Sequence, residues 1–378
     1  MDRYSLAALG LIGMVSILHF AIIDIPRAYV FDEFYYVPQA LGLLSGGKIP
    51  FSHPPLGVYL IAFGIAIFGN RGLGWRFSSV VFGVLSIGIL YLLVHRSTRN
   101  RSIALFSSTL YAFDSLTFVQ SSVAMLDVFL VFFMLLGFLL YWRNRRILAC
   151  IMMALSTLCK LVGVLGFGAL LLMMLLEREK LRNLLEKVIV YVLFVALAFW
   201  GFSLAQGVLL DPFSALAKMA WHITVARTVP SVSIQPWYWL IDPKRTTFLT
   251  YQEGMYDVLR PYGIWYRGVG NPMIWLLTLP AIAGVVCDYV RHRRKFSLFV
   301  LVWFVMVYLV PWYPIALLSL RPLYLYYFLP AMGAVTTSIS IGFANISGLL
   351  GEKLSKMTMS AYLIVVVAFF ITEFPIRL

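Results

Sequence analysis

The strongest constraint on this chain is a series of apolar runs, each close to the roughly 20 residues that a helix needs to cross a bilayer. They fall at about 5–23, 77–94, 102–117, 124–141, 147–159, 161–176, 188–206, 272–290, 296–311, 324–345 and 360–372, with a further amphipathic stretch at 55–68. Only 12% of the 378 residues are charged and 61% are hydrophobic, whereas a soluble domain carries about 25% charge. The expected fold class is therefore an all-α polytopic membrane protein with about 11 transmembrane helices and juxtamembrane helices in its outward-facing loops. The first run continues through His19 to Ile23 without a small-residue cleavage site, and it reads as a retained first span.

Charge sets the expected topology. The net charge is +14, but the basic residues come in short clusters between apolar runs, so nucleic acid is excluded as a partner. The clusters are HRSTRNR at 95–101, RNRR at 143–146, REKLRNLLEK at 178–187, RHRRK at 291–295 and EKLSK at 352–356; with Arg3 they hold 17 of the 30 Lys and Arg residues. Placing them all in the cytoplasm obeys the positive-inside rule, provided that 55–68 does not cross. The N-terminus is then cytoplasmic, and the active site and C-terminus are extracytoplasmic. Residues 24–76 form a first outward segment within an N-terminal catalytic module, 1–206. A second outward segment follows at 207–271, and residues 272–378 form a C-terminal transmembrane module.

The outward segments carry polar groups that composition does not explain. Asp32 and Glu33 sit among aromatics directly after the first span, where a carboxylate needs water, a ligand or a cation. An exposed pair on the membrane surface is the plain alternative. Asp127 lies at the outer mouth of the fourth span, and Asp114 in the same connection suits a helix cap or a partner contact. Lys160, Arg321 and Arg267 stand at outer boundaries beside aromatic, proline or glycine residues. Each fits either a side chain reaching the interface or a cation facing a phosphate. His53 precedes two prolines that stiffen the backbone. His222, Gln235 and Trp237 belong to a tryptophan-rich stretch that suits an aromatic belt or a sugar platform. Cys150, Cys159 and Cys287 have no paired spacing and read as small buried hydrophobes. A phosphate leaving group needs cations and an alcohol acceptor needs a carboxylate, and both kinds of group are present.

In order along nearly the whole chain, Asp32-Glu33, HPPLG at 53–57, AMLD at 124–127, CKLVG at 159–163, the WH and QPWYW elements at 221–222 and 235–239, GNP at 270–272 and the late YYFLPAMGAV resemble the protein O-mannosyltransferase family and its GT-C relatives that use polyprenyl-phosphate sugars. The resemblance implies a GT-C-like fold and an inverting transfer of a hexose, mannose first, from a dolichyl-type phosphate donor to a protein Ser or Thr hydroxyl. It implies Asp32 as general base, Glu33 as an orienting acid, Asp127 as the acid that organises the site, and Lys160 facing the donor phosphate, with Arg321 and Arg267 as further phosphate candidates. His53, His222, Gln235 and Trp237 are its substrate-binding or loop-orienting candidates. No cofactor is expected, and a divalent metal is not required. Two departures stand out: many family members have an arginine where this chain has Ser122, and the large inserted soluble domain of eukaryotic members is missing from the outward segments, which points to a compact prokaryotic member in a plasma membrane. The expected partners are the lipid-linked donor, a protein or glycolipid acceptor and membrane lipids. Transfer to a lipid or cell-wall glycan, as with aminoarabinose, is the second enzymatic reading. A transporter or lipid-binding scaffold is the non-enzymatic one, although the sequence has no clear inverted repeat.

Overall fold

The computed structural model describes residues 2–48, 50, 52–207, 211–224, 235–241, 269–318 and 323–374. Among the described residues the chain is a helical bundle without strands. The helices are α1 (Arg3–Ile22), α2 (Glu33–Leu44), α3 (Leu56–Phe68), α4 (Gly72–Thr98), α5 (Arg101–Ala112), α6 (Ser115–Ser122), α7 (Leu126–Trp142), α8 (Arg146–Cys159), α9 (Val164–Leu176), α10 (Leu181–Ala205), α11 (Pro212–Thr224), α12 (Pro236–Ile241), α13 (Pro272–Trp275), α14 (Thr278–His292), α15 (Lys295–Phe304), α16 (Val310–Leu317), α17 (Met332–Leu350) and α18 (Glu352–Thr372). A π-turn at Val305–Leu309 joins α15 to α16, and a 3₁₀ turn at Leu325–Ala331 leads into α17.

Seven of these segments are long and apolar enough to cross a membrane, and the pair α5 and α6, bent by 63°, makes an eighth. The chain is a multi-pass membrane protein. Three expected spans fold as shorter apolar helices, at Leu126–Trp142, Arg146–Cys159 and Leu161–Leu176, so by length alone the count is seven or eight rather than eleven. The reason is visible in α7, whose 17 residues rise about 25 Å and are buried on nearly every side by α4 and α8. A helix that is apolar all round belongs inside a bundle, where protein rather than lipid sets its length. By contrast α1, α10 and α18 present Leu6, Ile17, Leu193, Leu197, Ile364 and Ile371 outward, as a lipid-facing surface does.

Interhelical hydrogen bonds and small residues fix the inner helices. Ser156 Oγ donates to the Leu130 carbonyl at 2.8 Å, joining α8 to α7, and Thr157 meets the Tyr191 hydroxyl at 2.6 Å, joining α8 to α10. On α3, the Leu60 carbonyl accepts from Ser78 Oγ at 2.6 Å, and Gly64 lies against the Gly74 backbone. Thus α3 runs antiparallel to the first part of α4 and touches α7 and α8 through its start, where Gly57 faces Leu126 and the Cys159 carbonyl. That arrangement keeps 56–68 at one end of the bundle, beside the start of α4.

The two ends differ in chemistry. Arg76, Asp127 and Lys160 lie at one end of α4, α7 and α8, and the basic clusters lie at the other end of the same helices. At the basic end Arg146 pairs with Glu177 and Glu179, Lys187 with Glu179 and Lys295 with Glu177. Buried Asp288 there accepts from Arg294 at 2.8 Å and from Ser297 and Asn345. Helices α4 and α14 stop on Arg99 and Arg293 in the left-handed conformation, and a cation there also complements the negative end of the helix dipole.

Gly83 is the closest approach between α4 and α6: a Cβ would lie 2.3 Å from Ser121 Oγ and 2.4 Å from its Cβ. Gly83→Ala is expected to destabilise the protein by about 1–3 kcal/mol through overpacking, read as a lower thermal midpoint in detergent. An unchanged midpoint would show that the two helices separate freely at this point.

Candidate active site

The adjacent carboxylates Asp32 and Glu33 go to different places. Phe31, just before them, takes φ 54, a conformation that is uncommon for a bulky residue and costs on the order of 1–3 kcal/mol. The chain turns there into α2, with Asp32 at the N-cap position and its side chain making no capping bond. Glu33 points into the bundle and is fully buried. Its carboxylate takes two bonds from Arg76, at 2.8 and 2.9 Å, and one each from the Val30 and Ala124 backbone N–H groups, both at 2.8 Å. The remaining Arg76 donors reach the carbonyls of Ile23, Pro26 and Ala28 at 3.0–3.1 Å. All five guanidinium N–H groups and all four carboxylate acceptor positions are therefore occupied.

This corrects one expectation. Glu33 does not line the cavity and has no acceptor position left for a substrate, so it orients the site rather than a ligand. Through Ala124 it holds the turn that leads into α7, and through Arg76 it ties that turn to α4 and to the connection after α1.

Asp127, in the first turn of α7, is 3% exposed and faces Lys160 rather than open space. Lys160 Nζ donates to both carboxylate oxygens, at 2.9 and 2.8 Å. The same ammonium lies 4.9 Å from the Tyr326 ring centroid and 5.4 Å from that of Tyr327, within range of a cation–π attraction. Lys160 is therefore a buried, fixed cation. An ammonium has three donors, so one N–H remains after the two Asp127 bonds.

Lys160 and Asp32 line one cavity of about 320 Å³, near the lower end of the size range of ligand pockets. Its walls are tyrosine-rich, with Tyr35, Tyr36, Tyr324, Tyr326 and Tyr327 joined by Trp312, Gln39, Ser52 and His53. The Trp312 and Tyr327 rings stack at 4.5 Å, and His53 meets the edge of Tyr36 at 6.1 Å. Among the described residues no three His, Cys, Asp or Glu side chains gather as a metal site would require.

Two other described candidates are not brought into this cavity. Gln235 starts α12 with its carbonyl accepting from Tyr238 N, and Trp237 packs edge-on against Tyr313 at 6.0 Å. Neither lines the cavity. Arg267 and Arg321 lie outside the described residues, as does the side chain of His222 on α11. Asp114 does what its position suggested, capping α6 through Thr117 N at 3.0 Å and holding Asn271 N at 3.0 Å and Trp275 Nε1 at 2.8 Å. The GNP element is thus a structural clamp. Ser122 faces His19, 2.9 Å from its ring nitrogen, and among the described residues the cation that pairs with Glu33 is Arg76 from α4. Arg76 and the tyrosine wall went unassigned in the sequence, where Arg76 stands at the boundary between the first outward segment and the apolar run that follows.

The fold around this cavity is that of GT-C membrane glycosyltransferases. It matches the Saccharomyces cerevisiae protein O-mannosyltransferase Pmt1–Pmt2 complex bound to the sugar donor with a TM-score of 0.77 at 11% identity, over 100% of this chain and 90% of that one. It also matches ArnT from Cupriavidus metallidurans bound to undecaprenyl phosphate, with a TM-score of 0.64 at 17% identity over 93% and 61% of the two chains. Residues 52–205 match the model of the family described as dolichyl-phosphate-mannose-protein mannosyltransferase. The polyprenol-phosphate-mannose–protein mannosyltransferase of Mycobacterium tuberculosis is 36% identical over 116 residues, 29% of this chain and 22% of that protein. An undecaprenyl phosphate-aminoarabinose arabinosyl transferase of Pseudomonas aeruginosa is 32% identical over 141 residues, 33% and 26% of the two. The matched stretch therefore spans about a fifth to a quarter of the curated relatives' length.

The saturated Glu33–Arg76 pair makes a clear prediction. Removing one member of a buried ion pair costs about 3–5 kcal/mol, so Arg76→Met is expected to lower the thermal midpoint strongly. Adding Glu33→Gln to it should recover part of the loss. A double-mutant cycle showing no coupling between the two positions would remove Glu33 from its structural role.

Proposed function

We propose that the protein is an inverting glycosyltransferase that moves a hexose, mannose, from a polyprenyl phosphate to a Ser or Thr hydroxyl of a protein, on the extracytoplasmic side of a prokaryotic plasma membrane. The observation that carries this reading is the single cavity in which the Asp32 carboxylate and the Lys160 ammonium both take part. The acceptor hydroxyl gives its proton to Asp32 as its oxygen attacks the anomeric carbon. The bond from that carbon to the phosphate oxygen breaks on the opposite face, and its electron pair stays on the phosphate, where the remaining Lys160 N–H stabilises the developing charge. Asp127 holds the ammonium at that point without entering the cavity. The tyrosine wall suits a sugar, with ring faces for its C–H groups and hydroxyls for its oxygens.

The extracytoplasmic assignment rests on the separation of the cavity from the basic clusters at the other end of the bundle. A divalent metal has no assigned role in this scheme, because Lys160 supplies the positive charge that the leaving phosphate needs. The same donor chemistry would serve a glycolipid acceptor, a second reading that the similarity to the arabinosyl transferase favours.

Asp32→Asn is expected to lower kcat by about 10²–10⁴-fold, as for loss of a general base, with the donor's KM little changed. Mass-resolved transfer from polyprenyl-phospho-mannose to peptide and glycolipid acceptors reads it directly. Undiminished transfer by folded D32N protein would sink the base assignment, and product on the glycolipid alone would replace the protein acceptor with the second reading. Activity should also survive chelation by EDTA; loss that one divalent ion restores would assign the metal a part in the reaction.

A further inference from the structure

A second site lies at the opposite end of the bundle. Helices α1, α5 and α18 all begin there and run in the same direction, with α5 packed against the other two. The groove between them is about 490 Å³ in volume. Its mouth is formed by Arg3, Tyr4, Ser102 and Lys356, and its inner part by Leu11, Leu105, Phe106, Met359 and Leu363. From Arg3 to Leu11 along α1 the groove descends about 12 Å. On α1 and α18 the lining passes from the cations Arg3 and Lys356 to Leu11 and Leu363, while α5 adds Leu105 and Phe106 between Ser102 and Thr109.

The charge at the mouth has a definite sign. Arg3 and Lys356 line it and are exposed. Neighbouring Asp2 caps α1 and lies 3.5 Å from Arg101, so its charge is opposed by a third cation outside the groove. Three helix N-termini add their positive ends at the same level. A cationic mouth beside an apolar slot, between two helices long and apolar enough to cross a membrane, complements one kind of molecule: an amphiphile with an anionic head and an acyl chain.

We propose that this groove binds an anionic phospholipid of the leaflet that carries the basic clusters, its headgroup phosphate between Arg3 and Lys356 and an acyl chain against Leu11, Leu105 and Leu363. The site is separate from the catalytic cavity and does not depend on the sugar or acceptor used there. It makes the lipid a fastener for α1 and α18, the two helices that rest on α5 with largely lipid-facing surfaces.

The test is native mass spectrometry of the full chain in mild detergent, titrated with phosphatidylglycerol, phosphatidylcholine or inorganic phosphate. The unaltered protein is expected to retain one phosphatidylglycerol, to be stabilised against heat by it, and to respond to neither of the other two. Loss of two surface cations, R3A with K356A, should weaken retention about thirtyfold. Leu363→Trp, which fills the slot and leaves both charges, should abolish it. Equal retention of phosphatidylcholine, equal stabilisation by inorganic phosphate, or retention within twofold in either variant that folds would overturn the proposal.

Discussion

The buried ion pair between Glu33 and Arg76 is the contact on which the site depends. It is saturated: every guanidinium N–H and every carboxylate acceptor position has a partner within 3.1 Å. A charge placed out of water costs several kcal/mol unless it is fully paired, so the segments that supply those partners cannot drift apart without exposing that cost. Those segments are the connection after α1, the start of α2, the early part of α4 and the turn before α7. They are also the ones that carry Asp32 and place Asp127.

A division of labour between neighbouring acids follows. Successive residues on a helix are rotated by about 100°, so of two adjacent carboxylates at a helix start only one can face the bundle. Glu33 faces inward and holds the frame; Asp32 faces the cavity. The second pair repeats the logic, since Asp127 is buried and holds Lys160, and only Lys160 reaches the cavity. In each case a charge that lines the cavity stands beside one that does not. A site meant to handle developing charge benefits from such fixed partners, because they need not reorganise during reaction.

The helices that build the site also separate it from the basic end. Helices α4, α7 and α8 each have a site residue towards one end and a basic cluster at the other, where Glu177, Glu179 and Asp288 anchor several of the cations. The transverse asymmetry of the protein is thus written along single helices. The groove between α1, α5 and α18 uses the same asymmetry in another way, with cations at the level of the basic clusters and apolar side chains below.

Much of this was legible in the residues before any packing was known. Hydropathy and charge clustering are local properties, so the helical membrane class and the basic clusters at one end of the bundle could be read along the chain, as could Asp32, Asp127 and Lys160 as polar groups out of place in their surroundings. The number of full-length spans could not, because α7, α8 and α9 are too short to qualify by length alone. Nor could the roles within the site: Arg76 and Glu33 are 43 residues apart, and Lys160 and Asp127 are 33 apart. Tertiary packing alone brought these pairs together and chose which of two adjacent acids faces inward, because the energy that decides it is the desolvation of charges by helices distant in sequence.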